Sequence, residues 1–161
     1  MNTVDLIDEQ DEMKAHTERF VLWPRAWQAF DETCLPIRTW TMVKFLGTKY
    51  SDIPVGSGVY TFLIQPNIAS HPASSYLMYV GQAASLSERF MRYRTRESRW
   101  SAGSRPLIVR LLNKYVDYVW FCYTLVPKQD LDTVEEQLRD AYRPPCVKQY
   151  TGDVGPAMAA F

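Results

Sequence analysis

A chain of 161 residues, 47% apolar and carrying five Trp, ten Tyr and seven Phe, has the size and composition of one packed domain, which excludes a disordered tail or linker. Three cysteines without CxxC spacing and two widely separated histidines exclude a disulfide framework, a zinc knuckle and a histidine-based metal site, so any metal is expected to be held by oxygen. A formal net charge of zero argues against nucleic-acid binding by bulk charge, and no apolar run reaches the length of a membrane span.

The first residues (MNTVDLIDEQDEMK) are acidic where a secretory signal would be basic and then apolar, so a cytoplasmic protein with reduced thiols at Cys34, Cys122 and Cys146 is expected. Helical segments are expected between about residues 4 and 34, the clearer one opening at Pro24 with Trp27, Phe30 and Cys34 along one face. Trp23, Trp27 and Trp40 are expected to be buried. Residues 39–46 (TWTMVKFL) fit a strand or a short helix equally.

Residues 58–64 (GVYTFLI) and 76–80 (YLMYV) are apolar on both faces and flank a stretch rich in turn formers, which predicts a central antiparallel hairpin. Ser85 with Glu88 forms a capping-box pattern that opens a helix whose Leu86, Phe90 and Tyr93 share a face. A second helix is predicted over 106–115, a third buried strand over 118–126, and a last helix over 133–142, capped by Asp132 and stopped by Pro144 and Pro145.

Charge is segregated along this order. Residues 1–13 hold Asp5, Asp8, Glu9, Asp11 and Glu12 without a basic side chain, whereas 89–110 hold Arg89, Arg92, Arg94, Arg96, Arg99, Arg105 and Arg110 against Glu97 alone. Arginine without lysine suits bidentate contacts to phosphate oxygens, although a solvated arginine-rich surface would have the same composition.

The tripeptides GVY (58–60) and YVG (79–81), Arg89 ten residues past Tyr79, and Glu135 followed by Leu138 and Pro144 occur in one order and spacing. Together they resemble the GIY-YIG nuclease family over about residues 54–148. The resemblance implies a metal-dependent endonuclease that hydrolyses phosphodiester bonds, with DNA as the leading substrate, in restriction, repair or mobile-element work. It implies a catalytic set of Tyr60, Tyr79, Arg89 and Glu135: Glu135 holding one Mg²⁺ or Mn²⁺ per site, Arg89 gripping the scissile phosphate, Tyr60 acting as general base or orienting the attacking water, and Tyr79 positioning phosphate or water. Glu135 is preferred over Glu136 because Val134, Leu138, Ala141 and Tyr142 define a buried stripe that Glu135 borders and Glu136 opposes. Tyr93, Arg92, Arg96, Arg105 and Arg110 are further candidates for contact with substrate.

With the predicted elements this gives an α+β fold: a small central antiparallel or mixed sheet of three strands flanked by helices. Residues 1–50 form a helical extension packed on the core, and 51–161 the nuclease-like unit of one compact domain. A chain that cuts both strands of a duplex with one site per protomer is expected to form a twofold homodimer.

Three positions depart from the family pattern. The hairpin loop 65–75 is long, Tyr93 stands where some members carry histidine, and Val147 stands where the family has asparagine. The alternatives are a weak or inactive member that binds nucleic acid or protein through the same face, and a toxin or effector nuclease. Each residue also has a purely structural reading: core tyrosines with satisfied hydroxyls, one arginine among many, and a glutamate returning a hydrogen bond to Asp132.

Overall fold

The protein, seen in a computed structural model, is described over residues 3–35, 39–71, 74–95 and 106–147. Four strands, β1 (Thr41–Lys44), β2 (Gly58–Ile64), β3 (Tyr76–Ala83) and β4 (Val119–Leu125), form one sheet in the order β1-β4-β2-β3, each neighbour antiparallel. The described helices are α1 (Thr3–Ala15), α2 (Pro24–Gln28), α3 (Leu86–Arg94), α4 (Pro106–Lys114) and α5 (Leu131–Tyr142). The class is α+β, and the three-stranded expectation is corrected to four strands. The added strand is β1, drawn from the stretch whose sequence fits strand or helix alike. Its side chains are exposed apart from a half-buried Val43, so its pairing with β4 defines it rather than any pattern of its own.

The hairpin forms as its residues dictate, with two refinements. β3 runs past Gly81 to Ala83, because Gly81, Gln82 and Ala83 pair with Tyr60, Val59 and Gly58. Phe62 pairs with Tyr79 and Leu63 with Leu77, which leaves Met78 as the extra residue of a β-bulge.

Each sheet face buries its own core. Tyr60, Phe62 and Ile64 of β2, with Tyr79, Phe121 and Val119, cluster with Leu86 and Phe90 of α3 and Ile108, Leu111 and Leu112 of α4. The alternate residues Val59 and Val80 meet Leu131, Val134 and Leu138 of α5. Helix α3 opens where its cap predicts, the Ser85 hydroxyl accepting from the Glu88 backbone N–H at 3.3 Å. Helix α5 instead begins at Leu131, so Asp132 lies inside its first turn, where its carboxylate accepts from the Gln82 amide at 2.5 Å.

Residues ahead of the sheet are bound to this second core. Phe30, Cys34, Leu35 and Trp40 pack against it, and the Gln137 side-chain oxygen accepts from the Asp31 N–H at 3.0 Å and the Cys34 thiol at 3.4 Å. The helix from Pro24 ends at Gln28, and Cys34 falls in a separate short 3-10 turn, Glu32–Cys34. The tryptophans are less buried than composition suggests: Trp23 and Trp40 are half-buried and Trp27 is exposed. Trp23 lies under the guanidinium of Arg143, 3.9 Å from its ring centroid, and Arg143 closes α5 with a left-handed backbone (φ 47°). No helix of the described residues is long and apolar enough to cross a membrane.

Candidate active site

Tyr60 leaves the middle of β2 on the α3 side of the sheet, only 1% exposed, and its ring stacks on Phe121 at 5.1 Å. Opposite it in β3 stands Gly81. A Cβ at Gly81 would lie 2.6 Å from Cε1 of Tyr79 and 2.8 Å from both Cζ and Oη of Tyr60. The glycine of the second tripeptide is therefore the floor on which both tyrosines rest. Gly58 is needed for the same kind of reason, because a Cβ there would strike the Thr124 carbonyl of the next strand and come 2.8 Å from Leu86. Tyr79 is 2% exposed, its ring 6.0 Å from that of Tyr60.

Helix α3 brings the next two groups. Arg89 and Tyr93 are one turn apart and both half-buried, which places them on one face of the helix. The hydroxyls of Tyr60 and Tyr93 lie 2.8 Å apart and share a hydrogen bond, and Arg89 is near enough to act on Tyr93. Burial pushes the Tyr93 phenol above its ordinary pKa. The hydrogen bond with Tyr60 and the Arg89 guanidinium pull the other way, and the nearby Glu135 carboxylate adds to the rise. Tyr93 therefore keeps its proton around neutral pH.

Helix α5, packed beside the edge strand β3, supplies Glu135. It is 7% exposed where Glu136 is exposed to solvent, as the helical geometry predicts. One turn on, Nη1 of Arg139 stands 3.9 Å from Oε1 of Glu135, an ion pair too long for a hydrogen bond, and the Arg139 Nε is buried without a partner. Tyr60, Tyr79, Arg89 and Tyr93 thus stand together on one side of the sheet, and the charge of Glu135 reaches Tyr93 from α5.

Comparison of the chain with protein-family models, curated proteins and solved structures finds no match.

The other arginines divide. Arg92 is exposed on α3, whereas Arg94 turns inward, its Nη1 donating to the Phe45 carbonyl at 2.5 Å with the guanidinium over the Phe45 ring. Arg110 donates at 3.3 Å to the Ala15 carbonyl at the end of α1, and Lys114 donates to the same oxygen. Arg96, Arg99 and Arg105 lie outside the described residues. Val147 packs half-buried against the first core. Cys34, Cys122 and Cys146 are unpaired thiols, and burial, with the charge of Glu18, pushes Cys146 up to about 12.

Sequence reasoning passed over Arg139 and Gln82. A glutamate and an arginine four apart on a helix is a signal for the first. The Gln82 contact has no comparable signal, because its partner Asp132 is set by how α5 docks on β3.

Among the described residues no three His, Cys, Asp or Glu side chains gather as a metal cage. A single buried carboxylate, Glu135, fits an ion that keeps most of its own water, as Mg²⁺ does, and does not fit zinc.

Proposed function

We propose that the chain is a GIY-YIG-type, metal-dependent endonuclease that hydrolyses phosphodiester bonds in nucleic acid, DNA foremost. One observation carries this reading: two phenols 2.8 Å apart, one of them held protonated, stand beside a guanidinium one helical turn away, and the charge of the buried Glu135 carboxylate reaches them. These are the groups that in-line displacement at phosphorus requires.

Arg89, poised at Tyr93, neutralises a nonbridging phosphate oxygen as charge builds in the transition state. Tyr60, once its own proton has passed to solvent, takes a proton from the attacking water, whose oxygen bonds to phosphorus as the P–O bond to the leaving sugar oxygen breaks and that oxygen takes a proton from solvent. Tyr93, retaining its own proton, donates to the phenolate oxygen of Tyr60 and steadies it. Tyr79, fixed against Gly81, keeps the Tyr60 ring in place. Glu135 would hold a divalent ion, with water in its other positions. Such an ion, when bound, acidifies water and offsets charge on the phosphate.

A second reading, a weak or inactive member that binds nucleic acid through the same face, is favoured by Val147. It places an apolar, half-buried side chain where the resemblance expects asparagine.

Plasmid nicking with Mg²⁺, with Mn²⁺ and with EDTA, run for the native chain, Glu135→Ala and Glu136→Ala, separates the two. The nuclease reading expects metal-dependent nicking, abolished in Glu135→Ala at nearly unchanged nucleic-acid affinity and kept in Glu136→Ala. Binding without cleavage of plasmid, single-stranded DNA or RNA under either metal selects the second reading.

A further inference from the structure

Glu135 and Arg139 stand one turn apart on α5, the carboxylate buried and the arginine side chain 24% exposed. Nη1 of Arg139 lies 3.9 Å from Oε1 of Glu135. A carboxylate withdrawn from water calls for positive charge beside it, and this guanidinium supplies some.

It does so without directed bonds. An arginine that fixes a carboxylate does so through N–H···O bonds of about 2.8 Å, often two in parallel from its planar fork. The Arg139–Glu135 contact is longer than a hydrogen bond, and the buried Nε of Arg139 has no hydrogen-bond partner. Arg94 and Arg143, also turned inward, are fixed more firmly. Arg94 donates to the Phe45 carbonyl with its guanidinium over the Phe45 ring, and Arg143 donates to the Asp140 carbonyl with its guanidinium over Trp23. Arg139 is thus held near Glu135 by charge and can swing toward water with few bonds to break.

We propose that Arg139 is a positioning residue that competes with a divalent cation for the Glu135 carboxylate and so sets how tightly the site takes one. This role rests on the nuclease reading above, in which Glu135 is the metal ligand. Like charges a few ångström apart repel strongly where water is partly excluded. Arg139 therefore has to yield its place as Glu135 coordinates an ion, and its charge weakens the hold of the carboxylate on that ion.

The test is Mn²⁺ binding by the full chain without nucleic acid, read from the paramagnetic resonance of the free ion, with circular dichroism to confirm folding. The native protein is compared with Arg139→Gln, Arg139→Lys, Glu135→Ala and the double variant Glu135→Ala/Arg139→Gln. Arg139→Gln is expected to bind Mn²⁺ about tenfold more tightly, the scale on which groups beside a ligand tune metal affinity. Arg139→Lys keeps the charge and is expected to stay near the native affinity. The double variant is expected to bind as Glu135→Ala does, which also subtracts any ion held by the acidic residues of 1–13. Unchanged or weaker binding in Arg139→Gln overturns the proposal, as does equal tightening in Arg139→Lys or in the Glu135→Ala background. Arg139→Met carries the same expectation should Arg139→Gln fail to fold. Tightening that depends on Glu135, without plasmid nicking under either metal, removes the nuclease reading alone. Metal-dependent nicking lost in Glu135→Ala, with Mn²⁺ affinity equal in Arg139→Gln and the native chain, removes the role of Arg139 alone.

Discussion

The hydroxyl oxygens of Tyr60 and Tyr93 stand 2.8 Å apart, although one side chain rises from β2 and the other from the last turn of α3. Two phenols at this distance share one proton position between them, and burial decides that Tyr93 keeps its own. Either hydroxyl can be the donor across this contact.

Tyr93→Phe removes that hydroxyl without changing ring packing, and its expected effect is a fall in kcat of about 10²-fold with KM little altered, the loss of an interaction made mainly in the transition state. Tyr93→His restores a donor and introduces a titration near 6.5. Below that pH the variant carries an imidazolium beside the phosphate, so its activity relative to the native chain falls as pH rises through about 6.5. The native Tyr93 has its pKa raised, so it contributes no inflection there. Paired pH–rate profiles with an unchanging ratio would remove Tyr93 from the site.

Gly81→Ala places a methyl against both tyrosine rings, at distances real side chains do not show. Overpacking of this kind costs about 1–3 kcal/mol of stability. The displaced rings also carry the hydroxyls, so activity is expected to fall further than stability. Nicking rates measured below the melting transition separate the two effects, and a variant that melts early yet nicks at the native rate would show that the glycine serves packing only.

Arg92 and Arg94, two residues apart, are expected to behave oppositely. Arg92→Ala flattens the log–log salt dependence of duplex binding by about 0.9 units, the release of one phosphate contact, and leaves stability unchanged. Arg94→Ala lowers the melting temperature through loss of the Phe45 carbonyl contact and leaves the salt slope alone. Fluorescence anisotropy across a salt series, beside thermal melts, reads both.

A fragment starting at residue 51 lacks β1 and the side chains that cover the α5 core. It is expected to self-associate through the bared β4 edge and to melt without cooperativity. A monomeric, cooperatively folding fragment would make the preceding residues an appendage.

Much of this was legible in the residues. The β2–β3 hairpin, β4, α3, α4 and α5 lie within a few residues of their pattern-derived spans, because each is long, strongly apolar and bounded by glycine, proline or a cap. What the chain does not announce is set by partners far along it. β1 takes its state from β4, and the segment after Pro24 breaks so that Phe30 and Cys34 can reach the α5 core. Asp132 reads as a cap and serves instead as the acceptor for Gln82. Within the candidate site, periodicity predicts that Glu135 borders the buried stripe and Glu136 does not. The meeting of Tyr60 with Tyr93 depends on how α3 lies across the sheet, which no local spacing encodes.

The strand order carries a consequence for the birth of the protein. β1 finds its neighbour only when residues 119–125 exist, and β4 must slot between β1 and an already paired hairpin. Closure of the sheet is thus a late, non-local event, the kind that slows folding. During synthesis from the N-terminus, the hairpin and α3 can assemble the two phenols and the guanidinium before the ribosome has delivered α5. A nascent chain at that stage has Tyr60, Arg89 and Tyr93 and lacks Glu135, so the full set is present only after α5 has been made.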